Sequence, residues 1–276
     1  MEAQSTQQSS KPQRRYTALI LAGRRGGQDV LAAAAGAPHR ALLDVQGEPM
    51  LERVVRTLEE TACIERVLVS IDAPDLLMQF PGLARRVETG LLTVTPSESS
   101  PSRSVLRVTE QTPPDEAMLV TTADHALLTP EMVTHFLAEA EHSQADLAVA
   151  LVTATRVRAR FPESKRTYLP FRGERFSGAN LFAFLTEAAQ RGAAFWVRAE
   201  QYRKQPWRLA RAFGLRALLL FLLRRLDLDQ AMRHASRAIG ARIHAVPMPF
   251  AEAAVDVDRL SDLALVNEIL LQRTST

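Results

Sequence analysis

The run Tyr16–Ala22, YTALILA, breaks at once into Gly23-Arg24-Arg25-Gly26-Gly27. A short, uncharged, β-leaning run of this kind reads as a buried strand, and glycines directly after it read as a tight loop at the strand's carboxyl end. The pattern then repeats without the glycines. Arg66–Ile71 (RVLVSI), Ala117–Thr122 (AMLVTT) and Asp146–Val152 are further strands. Between them lie segments with helical spacing, such as Met50, Leu51, Val54, Val55 and Leu58 after Pro49. Thr129-Pro130-Glu131 supplies an N-cap, a proline at the first helical position and an acid near the positive helix end. Strand–helix alternation over the first 150 residues predicts a three-layer α/β/α fold with a mostly parallel, mixed central sheet. In such sheets ligands bind beyond the carboxyl ends of the strands. The glycine loop and Asp124, which follows the strand Ala117–Thr122, fall on that same rim.

Arg242–Val246 and Ala254–Val257 read as late strands, and Ser261 as the cap of a last amphipathic helix carrying Leu263, Val266, Ile269 and Leu270. Residues 1–14 read as a polar, disordered tail with no apolar core of a secretory signal. Residues 15–276 then form a single domain. Alternation fails over about 200–240, where Pro206–Leu226 and Asp229–Ile239 form a helical insertion. Within 191–242 stand twelve Lys/Arg against three Asp/Glu, in a chain whose net charge is only +3. Such a face suits an anionic acceptor or a subunit contact such as a homodimer, with peripheral membrane contact as the second reading. Nucleic acid is not the expected partner. The run Ala217–Leu223 is far short of the roughly 20 apolar residues of a spanning helix. A single cysteine, Cys63, excludes an intrachain disulfide or a CxxC zinc site and suits a cytoplasmic setting.

The glycine loop matches neither GxxxxGK[ST] nor GxGxxG. Its glycines would let backbone N–H groups approach phosphate oxygens, and its arginines would add charge-assisted bonds. LILAGRRGG followed by PHRALLDVQGEPMLERVVRTL resembles the opening of the MobA-like nucleotidyltransferases. The resemblance continues at LVTTADHALLTPEMV and at AVDVDRLSDLALVNEIL. It implies the GT-A type fold, and transfer of a nucleotidyl group from an NTP to a small phosphorylated acceptor, with Mg²⁺ and release of pyrophosphate. Residue by residue, Ala22 and Gly23, with Leu21 before them, match the segment that meets base and ribose. Arg24, Arg25, Gly26 and Gly27 match the triphosphate loop. Arg40 stands at the family's phosphate-contacting Lys, keeping the charge on a wider, forked group. Asp124 matches the metal-binding Asp, and Asp256 or Asp258 the second metal position. Arg24, Arg40 and Asp124 are the residues expected to carry catalysis. Two departures stand out. Arg24 replaces the second glycine of LAGG, and Ser99-Ser100-Pro101-Ser102-Arg103-Ser104 replaces a glycine-rich stretch, so the hydroxyls of Ser102 and Ser104 are the expected nucleotide contacts there.

The chemistry is consistent with so few residue types. Attack on an α-phosphorus by another phosphate brings two anions together, and a hard cation on carboxylate and phosphate oxygens neutralises them. The acceptor phosphate is already ionised and needs no general base, so His125 reads as structural, as does His39 in its loop. Lys165, Arg166, Gly178 and Asn180 form the expected acceptor side. Gly178 would allow close approach, and Asn180 can donate and accept; the alternative for Ser177–Asn180 is a plain turn before the strand Leu181–Phe184. Phe182 and Phe184 read as core. The alternatives are a GT-A glycosyltransferase with Asp256-Val257-Asp258 as its DxD, and a non-catalytic nucleotide-binding or membrane-surface protein.

Overall fold

The structure is a computed structural model that describes residues 14–24, 29–164, 166–202 and 213–274. Of the sequence expectations, the tail up to residue 13, Arg25, Gly26, Gly27, Lys165 and part of the segment Pro206–Leu226 lie outside the described residues.

The chain alternates from its start: β1 (Tyr16–Leu21), α1 (Val30–Ala34), a small hairpin of β2 (Asp44–Val45) and β3 (Glu48–Pro49), α2 (Met50–Glu59), β4 (Ile64–Ile71), α3 (Pro81–Glu88), β5 (Leu92–Pro96), α4 (Pro101–Gln111), β6 (Ala117–Thr122), α5 (Pro130–His142) and β7 (Leu147–Thr153). Then come α6 (Ala154–Arg160), β8 (Leu169–Pro170), β9 (Arg175–Phe184), α7 (Gln190–Gln201), α8 (Leu215–Leu222), α9 (Leu228–Ile239), β10 (Ile243–Pro247) and α10 (Leu260–Thr274). The main sheet runs β10-β7-β9-β6-β1-β4-β5, with β8 paired to β9. β1 pairs in parallel with β4 and β6, β4 with β5, and β7 with β10. Only β9 and its short neighbour β8 run antiparallel to the strands they touch in this sheet.

β1 shows why both faces are covered. Ala18 and Ile20 point into the larger core, with Val54 and Leu58 of α2, Phe136 of α5 and Val266 of α10. Leu19 and Leu21 point the other way, against Val105 and Val108 of α4 and Ala193 of α7. Every residue of β1 is buried, as a strand between two helical layers requires. Thr129 caps α5 through a bond from the Met132 N–H, as its sequence announces. Among the described residues no helix is long and apolar enough to cross a membrane.

Three expectations change. Ala254–Val257 is not a strand: a short 3-10 turn, Ala251–Ala254, leads into an irregular crossing of the β6 end, where the Val257 N–H donates to the Asp124 carbonyl at 3.1 Å. Buried Val255 and Val257 gave strand-like alternation, but the segment serves to bring Asp256 and Asp258 to the rim. Ser261 does not cap α10, whose first residue is Leu260. Asp262, in the first turn, instead ties down the segment before the helix, accepting from the Asp258 and Arg259 N–H groups at 3.2 and 2.9 Å. Gly178 and Asn180 lie inside β9, not in a turn before it. The β7–β9 register slips between Val149 and Leu151, opposite Asn180, which adopts φ +48°. A bulge of this kind bends a strand and re-aims a side chain.

Candidate active site

The carboxyl ends of β1 and β6, the segment before α2, the bulge of β9 and the crossing segment before α10 meet around one cleft of about 460 Å³. Its walls include Leu21, Ala22, Gly23, Arg24, Arg40, Asp124, Asn180, Asp256 and Asp258, residues drawn from five distant parts of the chain.

Gly23 is needed for contact rather than for an unusual φ. A Cβ there would stand 2.8 Å from the Ser97 Cβ, so the loop after β1 rests directly on the loop after β5. Beyond it, Arg24 is anchored by Asp72, at the end of β4. Its backbone N–H donates to Oδ1 at 3.0 Å and its Nε to Oδ2 at 2.7 Å. His39, fully buried, supports the same carboxylate: its Nδ1 accepts the Ala41 N–H at 3.1 Å, so the ring proton sits on Nε2, which donates to Asp72 Oδ1 at 3.0 Å. Partial burial raises the Asp72 carboxyl, but the bonds from His39 and Arg24 outweigh it and hold its pKa at about 2. No sequence argument had singled out Asp72; the signal available was a carboxylate directly after a buried strand on the same rim.

Arg40 reaches across the cleft. Its Nη2 donates to the Val257 carbonyl at 2.7 Å and to Asp258 Oδ1 at 2.9 Å, and stands 3.6 Å from Asp124 Oδ2. Asp124 is held from the other side by the Thr122 hydroxyl. Burial raises the Asp124 carboxyl, against the lowering effects of Thr122 and Arg40. Arg40 titrates higher than usual, because the attraction of Asp258 and Asp124 exceeds the cost of its burial. One guanidinium therefore spans two carboxylates across the cleft.

Asp256 is engaged differently. Arg166, only 6% exposed, pairs with its Oδ1, donates to its carbonyl at 3.1 Å, and also reaches Asp262 Oδ1 at 3.4 Å. Asn180 Nδ2 lies 3.5 Å from the other Asp256 oxygen. Arg166 is thus a clamp on the crossing segment, not an acceptor contact on the cleft surface. Ser102 and Ser104 do not line this cleft, though Ser104 lines a small pocket beside it with Gly23 and Arg24. Ser102, with no exposed surface, donates to Glu200 at 2.5 Å and so ties α4 to α7, while Ser104 accepts the Glu98 N–H at 2.8 Å. Gly178 is exposed, and a Cβ there would meet open space, so no close approach explains it. Phe184 is core as expected, but Phe182 is half-buried and lines the cleft with Trp196 of α7. His125 is buried with neither ring nitrogen bonded among the described residues, and burial depresses its pKa to about 4. At neutral pH it is an uncharged core side chain.

The donors fit a hard cation of limited protein ligation. Asp124 and Asp258 offer carboxylate oxygens to the cleft, the kind Mg²⁺ prefers. Among the described residues, no group of three or more His, Cys, Asp or Glu is arranged to hold a metal by itself.

Residues 18–244 match the MobA-like NTP transferase domain. Among solved structures, one described as a hypothetical transferase from Thermus thermophilus is 30% identical, with a TM-score of 0.75 over 90% of this chain and 99% of that one. The 4-diphosphocytidyl-2C-methyl-D-erythritol synthase of Anaerococcus prevotii shares the fold at 10% identity, with a TM-score of 0.59 over 94% and 96% of the two chains. A CMP:2-keto-3-deoxy-manno-octonic acid synthetase complexed with CTP does so at 15% identity, with a TM-score of 0.54 over 94% and 99%. No curated protein matches the chain in sequence.

Proposed function

The chain belongs to the family of MobA-like NTP transferase domains, and from that premise we propose that it transfers a nucleotidyl group from an NTP to a small phosphorylated acceptor, with Mg²⁺ and release of pyrophosphate. The observation that carries this is the convergence of Arg24, Arg40, Asp124 and Asp258 on one cleft.

In this reading the segment Leu21–Gly23 carries base and ribose, and Arg24, pre-set by Asp72, faces the triphosphate. Arg40 is the mobile charge. In the free protein it neutralises Asp124 and Asp258. With substrate bound, it turns to phosphate oxygens, for which its forked donors are suited. Asp124 and Asp258 are the residues that would hold Mg²⁺, which when bound neutralises the approaching phosphate charges. Asp256, already neutralised by Arg166, keeps the crossing segment in place. The acceptor phosphate is its own nucleophile. Catalysis then rests on positioning and charge, with no side chain asked to take a proton.

The test is pyrophosphate release on mixing the protein and Mg²⁺ with each of four NTPs and a panel of phosphorylated acceptors. Acceptor-dependent pyrophosphate supports transfer. Asp256-Val257-Asp258 places both its carboxylates on the cleft, as a glycosyltransferase DxD would. Release of a nucleoside diphosphate from a nucleotide sugar, without pyrophosphate from any NTP, would replace the first reading by that one.

A further inference from the structure

Apolar surface and positive charge come together at the end of α8. Leu219, Leu222 and Leu223 follow one another at helical spacing and are 57%, 67% and 54% exposed. Phe221, on the opposite side of the helix, packs edge-on against Phe171 with ring centroids 6.0 Å apart. Leu226, just beyond the helix, is buried, and its carbonyl accepts the Arg172 N–H at 2.8 Å. The helix is thus fastened along one side, and the leucines stand on the other. It ends in a left-handed turn at Arg224, φ +55°, closed by the Arg225 N–H donating to the Leu220 carbonyl at 2.8 Å. Glycine is the ordinary residue at such a turn. Here two arginines follow the leucines instead, both exposed and neither paired with an acid among the described residues. Asp227, the next acid in the chain, is engaged elsewhere: it caps α9 and meets Arg172 at 3.2 Å. The wider segment 191–242 has the same sign, with twelve Lys/Arg against three Asp/Glu.

An exposed leucine stripe bordered by unpaired cations calls for a partner that is negative at its surface and apolar beneath it. A second copy of this chain does not meet that description. A two-fold contact through α8 would set Arg224 and Arg225 against their own copies. Three leucines are also far fewer than the roughly 20–30 residues a side of a stable protein interface. An anionic bilayer does meet it: leucines enter the acyl boundary while guanidinium groups stay with the lipid phosphates. α8 is eight residues long, far too short to span, so the helix would lie on the surface. We propose that the end of α8, from Leu219 to Arg225, docks this protein on anionic lipid membranes as a peripheral contact. The order expected from the sequence, subunit contact before membrane, is thereby reversed. None of these residues lines the cleft, so docking is separate from nucleotidyl transfer and is measurable without turnover.

The whole chain is sedimented with vesicles of phosphatidylcholine alone and with vesicles containing about one third phosphatidylglycerol, at low and at high salt. The expected result is binding at least about tenfold stronger to the anionic vesicles, weakening as salt rises. Leu219→Gln combined with Leu222→Gln, which keeps helix propensity and removes the apolar face, should lose about tenfold in binding. Arg224→Gln combined with Arg225→Gln should lose at least about tenfold. Circular dichroism and thermal melting confirm that each variant is folded. A fluorophore identifies the face that meets the lipid. Cys63 is the chain's one cysteine and is buried, so a polarity-sensitive dye reacts selectively at Leu222→Cys. Its emission should shift to the blue with the anionic vesicles and stay unchanged with phosphatidylcholine. No binding to either vesicle, equal binding to both, undiminished binding of the Leu219→Gln, Leu222→Gln variant, or binding without the blue shift would overturn the proposal. So would a dimer in light scattering that the leucine substitutions dissociate, which would give the stripe to a second copy.

Discussion

Asp72→Asn isolates the support of Arg24 from every other feature of the cleft. Because His39 Nδ1 already accepts the Ala41 N–H, Nε2 must donate, and the atom it meets must be an oxygen. The substituted amide can satisfy His39 and the Arg24 N–H only by placing its oxygen at the Oδ1 position. Its NH₂ group then faces the Arg24 Nε–H, donor against donor, and the guanidinium is released. The carboxylate sits at about 2 in the folded protein against 3.8 ordinarily, a shift that corresponds to at most about 2.4 kcal/mol at neutral pH. With the two side chains 37% and 27% exposed, solvent screening reduces this to about 1 kcal/mol. The sign follows from the lowered pKa. The stabilisation is complete above the unfolded value, fades as pH falls through it, and is lost below about 2, with about half gone near pH 3. Urea titrations of both proteins at pH 7 and pH 3 read this directly. The gap should be about 1 kcal/mol at pH 7 and about half that at pH 3, with NTP binding at pH 7 about three- to tenfold weaker in the variant. A gap that stays constant or widens on acidification would show that the Asp72 carboxylate is not held by these bonds.

Arg166→Met should destabilise the fold by about 2–3 kcal/mol, because it strands Asp256 and Asp262 without their buried cation; a loss under about 0.5 kcal/mol in denaturant titration would contradict the clamp. Gly23→Ala should cost about 1–3 kcal/mol through contact with Ser97, and Ser97→Gly should recover much of it, a coupling that a double-mutant cycle measures. Asp124→Asn should stay folded yet lose Mg²⁺-dependent pyrophosphate release by about a thousandfold; near-normal turnover would remove Asp124 from the centre.

The sheet was legible because its strands are buried on both faces and announce themselves as uninterrupted apolar runs: Tyr16–Leu21 and Ala117–Thr122 stand almost where the composition places them. β5 was not, since Leu92–Pro96 (LTVTP) is a half-exposed edge strand whose threonines and proline resemble a loop. β9 was only half legible. The segment Arg175–Asn180 carries a glycine and an asparagine that signal a turn, and it becomes a strand through pairing with β7, a partner far away in sequence that tolerates the bulge. Single residues were harder for the same reason. Whether Arg166 faces a ligand or two aspartates ninety or more residues away depends on contacts that no local pattern encodes.

Arg40 shows what that long-range information adds to the chemistry. As a substitute for lysine in a sequence motif, it is one more positive charge beside phosphate. In the fold it lies between two carboxylates that would repel each other without it, at 2.9 and 3.6 Å. Two acids facing one cleft are costly to keep ionised unless a cation stands between them. The guanidinium meets that need in the free protein, and a divalent ion can meet it only if Arg40 moves away. Phosphate oxygens provide the place to go. On the proposed function, nucleotide and metal binding would be coupled through one side chain: each should bind more tightly in the presence of the other, by a common factor. Removing the Arg40 charge should abolish much of that coupling while increasing the affinity of the carboxylate pair for metal alone. Calorimetric titration of Mg²⁺ with and without NTP, in the native protein and in Arg40→Gln, measures both effects. Unchanged coupling in the variant would mean that the two ligands meet without passing through Arg40.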